Sequence, residues 1–188
     1  EMCAKLIAQA SAPILEQYTG PVLFDAVAAG TAFEALLGDR LCARPLPLGG
    51  GDTTDESLEK KIGLRILPRS FHLVDDPGPE QFGETGLAGA YKFDDEGVPA
   101  SRVPLVDKGI LRNLVAGRAP TKKIKQTTGH GRSVGFSDPR ATIGCLYVSD
   151  DNGLSADDLK QELIQAARDE GLPFGLRIAS IDEDALGR

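Results

Sequence analysis

The sequence predicts an α+β fold in which an antiparallel β-sheet forms the core and helices flank it near both ends of the chain. Short apolar segments separated by tight-turn residues fill the middle of the chain, whereas helix-like segments lie towards its ends. The alternation of strands and helices that marks a doubly wound fold is missing. A chain of 188 residues buries about 70% of its unfolded surface without disulfides. We therefore expect one domain over residues 1–188, with a sheet that forms a meander, a barrel or a half-barrel.

The N-terminal part of the chain is predicted to hold two helices with a short strand between them. Residues 2–18 have a helix-like composition that is interrupted by Pro13, and a turn then leads into a buried strand over residues 22–24. Residues 26–37 are rich in Ala and Leu, which favours a helix. Three consecutive glycines and two aspartates make residues 46–55 a predicted loop.

The middle of the chain is predicted to form antiparallel strands. Turn-forming residues, rich in Asp, Gly and Pro, occupy positions 75–78, 94–97 and 107–109, and they suit tight hairpin connections. The apolar segments between them are the candidate strands. These cover residues 65–74, 89–93, 102–106, 110–115 and 141–149.

The clearest helix is predicted near the C-terminus, over residues 155–170. Ser155 is a favourable N-cap, the acidic residues of the first turn complement the helix dipole, and Gly171 supplies a C-terminal stop. Leu159 and Leu163 begin its apolar stripe. A last strand is expected over residues 174–181.

The composition excludes several classes of function. No segment approaches the roughly 18 apolar residues of a membrane span. Three scattered cysteines with no CxxC pair argue against a disulfide framework and a cysteine-built zinc site, and they fit a reducing cytoplasm. The two histidines, His72 and His130, are 58 positions apart, so neither HExxH nor HExxxH can occur. We therefore expect no metal and no cofactor.

Charge is distributed unevenly along the chain. Residues 108–137 hold seven of the 21 basic residues and no Asp or Glu. The rest of the chain then holds 14 basic and 28 acidic residues, a net charge of −14. The basic segment is either a solvated loop or a site that steers an anionic ligand or docks an acidic partner. Nucleic acid is a less favoured ligand because the whole-chain charge of −7 repels phosphate.

One segment combines the features of a binding loop. Its candidate substrate-binding residues bring two flexible glycines, a hydroxyl and two ionisable side chains, and they are Thr128, Gly129, His130, Gly131 and Arg132. Catalysis would need a nucleophile, such as Ser133 or Cys145, and an acid that the local sequence does not supply. The alternative is a flexible basic loop at a domain edge. The acidic pairs elsewhere are interpreted as ordinary turn residues, and His72 as a structural or surface histidine.

A set of segments gives the chain a family resemblance. They occur in the same order across nearly the whole chain, and they cover residues 18–24, 61–68, 75–77, 94–100, 105–111 and 129–132. On these residues the chain resembles the TldD/PmbA family, also called modulator of DNA gyrase or the U62 peptidase class. It looks like the C-terminal domain of such a protein, with the family's N-terminal domain outside this chain.

The resemblance implies a subunit without catalytic metal ligands. Active members of the family carry zinc on an HExxxH helix, with the Glu as general base and a further Cys ligand nearer the C-terminus. On this chain the motif falls at residues 24–29. Phe24 and Ala29 stand at the two histidine positions and Asp25 stands at the glutamate. The resemblance is thus to the metal-free PmbA/TldE-type members.

Three functional hypotheses follow. The first is a non-catalytic subunit that contributes a peptide-binding cleft in the cytoplasm, as a homo-oligomer or with a zinc-bearing TldD-like subunit. A sheet edge would take an extended peptide as an added strand. The second is a hydrolase with non-metal chemistry around His130. The third is a structural or interaction domain with no activity of its own.

Overall fold

The computed structural model of the chain describes residues 10–45, 58–133 and 135–182, together with Cys3 and Ile7. Cys3, Ile7 and Ala10 are helical, as predicted, whereas residues 13–19 have no regular secondary structure. The C-terminal part of that predicted helix is therefore wrong, because Pro13 lacks an N–H group and disfavours helical geometry before it. The predicted loop over residues 46–55 lies outside the described residues.

A helix follows the first strand, as predicted over residues 26–37. The helix α1 (Ala26–Phe33) continues into a π-helical turn (Glu34–Gly38) and a 3₁₀ turn (Asp39–Leu41). A second 3₁₀ turn covers Leu58–Lys61. Single π-helical turns are uncommon and occur frequently at functional sites.

Ten short strands run through the described residues. They are β1 (Val22–Phe24), β2 (Phe71–Asp75), β3 (Gln81–Phe82), β4 (Thr85–Gly86), β5 (Val103–Asp107), β6 (Ile110–Leu111), β7 (Gly131–Arg132), β8 (Arg140–Ala141), β9 (Leu146–Asp150) and β10 (Leu176–Ile178).

A four-stranded antiparallel sheet in the order β6-β5-β2-β9 forms the core. The hairpin β5–β6 is closed by Lys108 and Gly109, whose φ angles of 48° and 73° are those of a type I′ turn, as the tight-turn residues predicted. Leu73, Leu105 and Leu111 of these strands are fully buried. No closed barrel is formed by the described residues, and the α+β class predicted from the sequence is confirmed.

Several strand boundaries differ from the prediction. Residues 65–70 are not a strand, and Arg65 makes only an isolated bridge with Ile110. Residues 89–93 are not a strand either, because Tyr91 N–H donates to the Pro77 carbonyl at 2.9 Å instead of joining a ladder. The segments over residues 110–115 and 174–181 are strands only within β6 and β10.

The predicted strand over residues 141–149 is divided into β8 and β9. Between them, Gly144 N–H turns towards the Asp75 carboxylate, and the Cys145 carbonyl accepts from Asp76 N–H. At Gly144 a hydrogen bond to a side chain therefore takes the place of a hydrogen bond to a neighbouring strand. Hydrophobic periodicity in the sequence does not indicate such an interruption.

The two ends of the described chain meet in a small parallel sheet, which the sequence did not predict. β1 pairs with β10 in parallel, with Val22 opposite Leu176 and Phe24 opposite Ile178. The helix α2 (Ala156–Asp169) packs near β1. Its N-cap is Ser155, whose Oγ accepts from Asp158 N–H at 3.2 Å, and Gly171 at φ 67° ends it, both as predicted.

Among the described residues, no helix is both long enough and apolar enough to cross a membrane.

Candidate functional site

The predicted binding loop lies inside the fold and not at its edge. Gly129, His130 and Gly131 are buried, while Thr128 and Arg132 are partly exposed. Gly129 has φ 72°, and a Cβ there would meet the Pro99 carbonyl. The alternative interpretation, a flexible loop, is therefore wrong for the buried residues of this segment.

His130 is fully buried and both of its ring nitrogens are engaged. Nε2 lies 2.7 Å from Asp75 Oδ2, and Nδ1 lies 2.8 Å from the Thr128 carbonyl oxygen. Nδ1 also lies 2.9 Å from Thr128 Oγ1. Both ring nitrogens therefore have polar partners, which leaves the imidazole without a free nitrogen for catalysis.

Asp75 is the acid that the local sequence around His130 does not contain. It has no exposed surface, and its Oδ2 also accepts from Gly144 N–H at 3.0 Å, while its Oδ1 has no hydrogen-bond partner among the described residues. The interpretation of Asp75 as an ordinary turn residue is wrong, because it is the last residue of β2 and pairs with Leu146.

Two further acids hold the loop in place from the turn at residues 94–97. Asp94 Oδ2 accepts from Gly131 N–H at 2.9 Å, while its Oδ1 accepts from Glu96 N–H and Val98 N–H within its own turn. Asp94 is thus a turn residue, as predicted, and also a buried anchor for a segment 37 positions away.

Asp95 binds the exposed end of the same loop. Its Oδ2 accepts from Ser133 N–H at 2.7 Å and from Arg132 Nε at 3.2 Å. The hydrogen bond from Ser133 and the charge of Arg132 lower the pKa of the Asp95 carboxyl.

Arg132 and Tyr91 close the other side of the loop. The Arg132 guanidinium lies 4.3 Å from the centre of the Tyr91 ring, and Tyr91 O–H donates to the Gly129 carbonyl at 3.0 Å. Burial and the negative charge of Asp75 raise the pKa of Tyr91. The predicted substrate-binding role of Thr128, Gly129, His130, Gly131 and Arg132 remains a prediction, and only the partly exposed two can reach a ligand directly.

The other histidine, His72, joins strand ends at the surface. Its Nδ1 lies 3.2 Å from Asp107 Oδ1 and its Nε2 lies 3.1 Å from Asp151 Oδ2. His72 is in β2, Asp107 ends β5 and Asp151 follows β9. This arrangement agrees with the prediction of a structural or surface histidine.

A cleft runs between α1 and the outer edge of β9. It comprises a cavity of about 570 Å³ and a second cavity of about 310 Å³ that shares some of its lining residues. One wall is helical, with Ala29, Gly30 and Phe33, and the opposite wall holds Phe82 and Leu87. The floor is formed by Gly144, Cys145, Leu146, Tyr147 and Val148.

The exposed backbone of β9 faces this cleft. Asp76 N–H donates to the Cys145 carbonyl and Asp151 N–H donates to the Ser70 carbonyl, which fixes the hydrogen-bonded pairs of the β2–β9 ladder. In an antiparallel ladder these pairs alternate with non-bonded ones. The N–H and C=O groups of Leu146 and Val148 therefore point away from β2, where no other strand of the described structure pairs with them.

The His130–Asp75 pair lies directly behind the cleft floor. Asp75 Oδ2 binds Gly144 N–H, and Gly144 lines both cavities. Burial and the charges of Asp75 and Asp76 raise the pKa of the neighbouring Cys145 thiol. The buried pair therefore fixes the backbone of the floor.

The three residues predicted to stand at the positions of the zinc motif do not meet in one cavity. Phe24 in β1 and Asp25, which precedes α1, border a cavity of about 490 Å³ beside α2, whereas Ala29 lines the cleft. Asp25 accepts two bonds from Arg177 of β10, Nε to Oδ1 at 2.6 Å and Nη2 to Oδ2 at 2.9 Å. This guanidinium lowers the pKa of Asp25.

The HExxxH motif of the family can be placed on a second set of residues in this chain, with Glu34 at the position of the glutamate. Glu34 is the only acidic residue in the helical stretch 26–38, and it lines the cleft. Phe33 and Gly38 then stand at the histidine positions. In either register the residues at those positions offer no atom that ligates zinc. Among the described residues no group of three or more His, Cys, Asp and Glu side chains is arranged to hold a metal ion.

Comparison with known proteins identifies the family. Residues 17–172 match the model of the PmbA/TldA metallopeptidase C-terminal domain. The chain belongs to this family. The TldD/PmbA resemblance predicted from the sequence is thereby confirmed.

Curated relatives of this PmbA/TldA-family chain are named metalloproteases. The protein from Archaeoglobus fulgidus is 30% identical over 105 residues, which cover 56% of this chain and 23% of the relative. That from Methanothermobacter thermautotrophicus is 30% identical over 110 residues, which cover 58% of this chain and 23% of the relative. The chain therefore spans about a quarter of the length of the relatives it matches.

Two solved structures share the fold. A proposed modulator of a DNA gyrase from Thermotoga maritima is 19% identical, with a TM-score of 0.61 over 85% of this chain and 33% of that protein. TldE from Thermococcus kodakarensis is 24% identical, with a TM-score of 0.50 over 74% of this chain and 30% of that protein. At these identities the likeness establishes the fold alone.

Proposed function

We propose that this PmbA/TldA-family chain is a metal-ligand-lacking member that binds an extended peptide as an added strand along β9. The observation that carries the proposal is the outward-facing backbone of Leu146 and Val148 at the floor of the cleft. An incoming peptide can exchange main-chain hydrogen bonds with these groups, which gives affinity that tolerates many sequences.

The walls of the cleft suit the side chains of such a peptide. Alternate side chains of an added strand point to opposite faces of the sheet. On one face they meet Ala29, Gly30 and Phe33 of α1, where small residues leave room, and on the other they meet Phe82 and Leu87. Peptides with apolar side chains at alternating positions therefore fit best.

A non-catalytic role is supported by the residues at the motif positions. Phe24 and Ala29, or Phe33 and Gly38 in the second register, carry no nitrogen, oxygen or sulfur in their side chains. The family's hydrolytic chemistry would then be supplied by a zinc-bearing family subunit with which this chain associates. None of the three cysteines forms a disulfide in the described structure, which suits the reducing cytoplasm as the place of action.

The alternative of a hydrolase built around His130 has less support. Both ring nitrogens already have partners, and neither Ser133 nor Cys145 is a hydrogen-bond partner of the imidazole. The third hypothesis, a purely structural domain, leaves the cleft and the exposed edge of β9 without a role.

A proline at the edge tests the proposal. Val148→Pro removes an N–H that points away from β2, so the core sheet keeps its hydrogen bonds. We expect it to weaken the binding of a fluorescent extended apolar peptide at least about tenfold in a polarisation assay, since it removes a main-chain bond. Val148→Thr, which keeps the N–H, should bind as the unmodified chain does. Equal affinity for both variants would contradict strand addition.

A further inference from the structure

The two faces of the sheet at the edge strand β9 lie next to different groups. The cavity of about 310 Å³ is lined by Leu146 and Val148 but not by Tyr147, and its other wall includes residues of α1. Tyr147 projects from the opposite face, because neighbouring side chains of a strand alternate. On that face its ring meets Phe82 of β3 edge to face, with ring centres 5.8 Å apart. The helix therefore stands on one face of this edge and an aromatic pair stands on the other.

Phe82 is the exposed member of this aromatic pair. It lies in the short hairpin of β3 and β4, where it pairs with Thr85, and the base of the hairpin is closed by Leu87 N–H, which donates to the Glu80 carbonyl at 2.9 Å. The Phe82 ring is nevertheless 66% exposed, and it lines the larger cavity together with Tyr147. A ligand that covers this ring gains the free energy of removing its apolar surface from water.

A peptide strand added to β9 brings one of its side chains to this aromatic pair. The N–H and C=O groups of Tyr147 point towards β2, whereas those of Leu146 and Val148 face the cleft. In an antiparallel addition, the peptide residue opposite Tyr147 therefore has a non-hydrogen-bonded position. Side chains are closest at such positions, where the opposed Cα atoms are about 4.5 Å apart. The side chain of that peptide residue projects on the same face as Tyr147 and Phe82.

We propose that the peptide bound along β9 carries an aromatic residue opposite Tyr147 and that Phe82 selects it, which rests on the proposed function of strand addition. Cross-strand aromatic pairs stabilise antiparallel sheets, and aromatic rings gain further from edge-to-face contact. A fixed ring at Phe82 offers such a contact to an incoming aromatic side chain.

The two peptide residues beside the aromatic one turn to the helical wall of the cleft. That wall includes Ala29 and Gly30 of α1. A Cβ built on Gly30 would meet no atom within 4 Å, so the wall leaves room for aliphatic side chains there. The ligand class is therefore an extended segment with an aromatic residue between two aliphatic ones.

A peptide series tests this selection on the 188-residue chain. Fluorescent, lysine-flanked heptapeptides have Val and Thr at alternating positions, and their central Thr is replaced by Phe, Leu or Ala. In a polarisation assay the Phe peptide should bind about threefold more tightly than the Leu peptide and at least about tenfold more tightly than the Ala peptide. Phe82→Ala should reduce the ratio of Phe to Ala affinities to less than about threefold. Phe93→Ala removes a ring that is 62% exposed and lines neither cavity of the cleft, so this matched control should keep the full ratio.

A single tryptophan locates the contact independently of affinity. The chain contains no Trp, so Phe82→Trp introduces the only one. Saturating Phe peptide should shift its emission to shorter wavelength as the ring leaves water, and the Ala peptide should shift it less. Emission that saturating Phe peptide leaves unchanged would contradict the contact.

The remaining outcomes separate this selection from strand addition itself. Equal affinities for the three peptides, or a ratio that Phe82→Ala leaves unchanged, would overturn the selection. Strand addition would still stand if Val148→Pro weakened the binding of all three peptides. Absence of binding by every peptide, or binding that Val148→Pro does not weaken, would contradict strand addition and the selection with it.

Discussion

At the scale of single residues, the pair of His130 and Asp75 does most to hold the candidate site together. It connects the buried loop to β2 and, through Gly144, to the floor of the cleft. A buried pair adds little net stability over a well-packed apolar pair, but the loss of one partner leaves an uncompensated polar group. Asp75 already has one oxygen without a partner among the described residues.

The two histidines therefore differ in what their removal costs. We expect His130→Ala to lower the free energy of unfolding by about 3–5 kcal/mol, because it removes the imidazole partner of the buried Asp75 side chain and leaves it only the Gly144 N–H. His72→Ala, which removes a partly exposed imidazole between Asp107 and Asp151, should cost less than about 1 kcal/mol. Urea denaturation of both variants measures the difference. Equal losses would contradict the role given to His130.

The three thiols should react in an order set by their surroundings. Burial raises the pKa of Cys42 to about 12, so at pH 8 only about one molecule in 10,000 carries its thiolate. In native protein at pH 8 we expect exposed Cys3 to react first with a disulfide reagent and Cys42 only after unfolding. Cys145, in the cleft floor, should react slowly and more slowly still with bound peptide. A Cys3→Ser control identifies the fast phase, and rapid labelling of Cys42 would refute the assignment.

Residue-scale prediction from the sequence was limited by distance along the chain. The candidate loop was found from its glycines, hydroxyls and His130, yet its acids were not, because Asp75 and Asp94 lie 55 and 37 positions away from the groups they bind. Local patterns indicate turns for such residues, and only the tertiary fold brings their carboxylates to the loop.

At the scale of elements, the Asp25–Arg177 ion pair holds the small parallel sheet of β1 and β10. Two-stranded sheets are marginal by themselves, so this two-bond contact should matter for the pairing of the chain ends. Its geometry, with Nε and Nη2 each on a different carboxylate oxygen, is the fork-to-fork arrangement that arginine favours.

The pair makes the stability of this sheet depend on pH. Because the folded pKa of Asp25 is lowered, its contribution is present above the unfolded value of about 3.9 and is lost as the pH falls through the folded value. We expect Asp25→Asn to lower Tm at pH 7, with the deficit shrinking as thermal scans move below pH 4. Glu84→Gln, in the exposed β3–β4 turn, is the control and should show no such dependence. A deficit that stays constant down to the most acidic scan would contradict the linkage.

Elements were predicted well where local signals are strong. Three predicted features with a local physical cause are present in the structure. They are the N-cap at Ser155, the C-terminal stop at Gly171 and the hairpin turn at Lys108–Gly109. The prediction was wrong where side chains interrupt a ladder, as at Gly144, and it missed the β1–β10 pairing between the ends of the chain. The sequence did not predict the cleft beside β9 either, because residues far apart in the chain line it. An exposed sheet edge was nevertheless expected to bind peptide.

At the scale of the whole molecule, the chain retains the fold of its family. The chain belongs to the PmbA/TldA metallopeptidase C-terminal domain family, and it spans about a quarter of its metalloprotease relatives. The α+β core presents the outer edge of β9, which pairs with no further strand of the described structure, in a cleft with two apolar walls. We propose that such a domain contributes peptide binding, and that proteolysis belongs to a zinc-bearing partner.

The central claim, peptide binding along β9 without a metal, is tested most directly by hydrogen exchange. The chain is incubated in EDTA with and without an extended apolar peptide, and exchange of the backbone amides of residues 146–150 is measured. The account predicts that the peptide slows exchange at Val148, whose N–H faces the cleft, and that Val148→Thr behaves alike. Unchanged exchange along β9 at saturating peptide, or protection that appears only when zinc replaces EDTA, would contradict it.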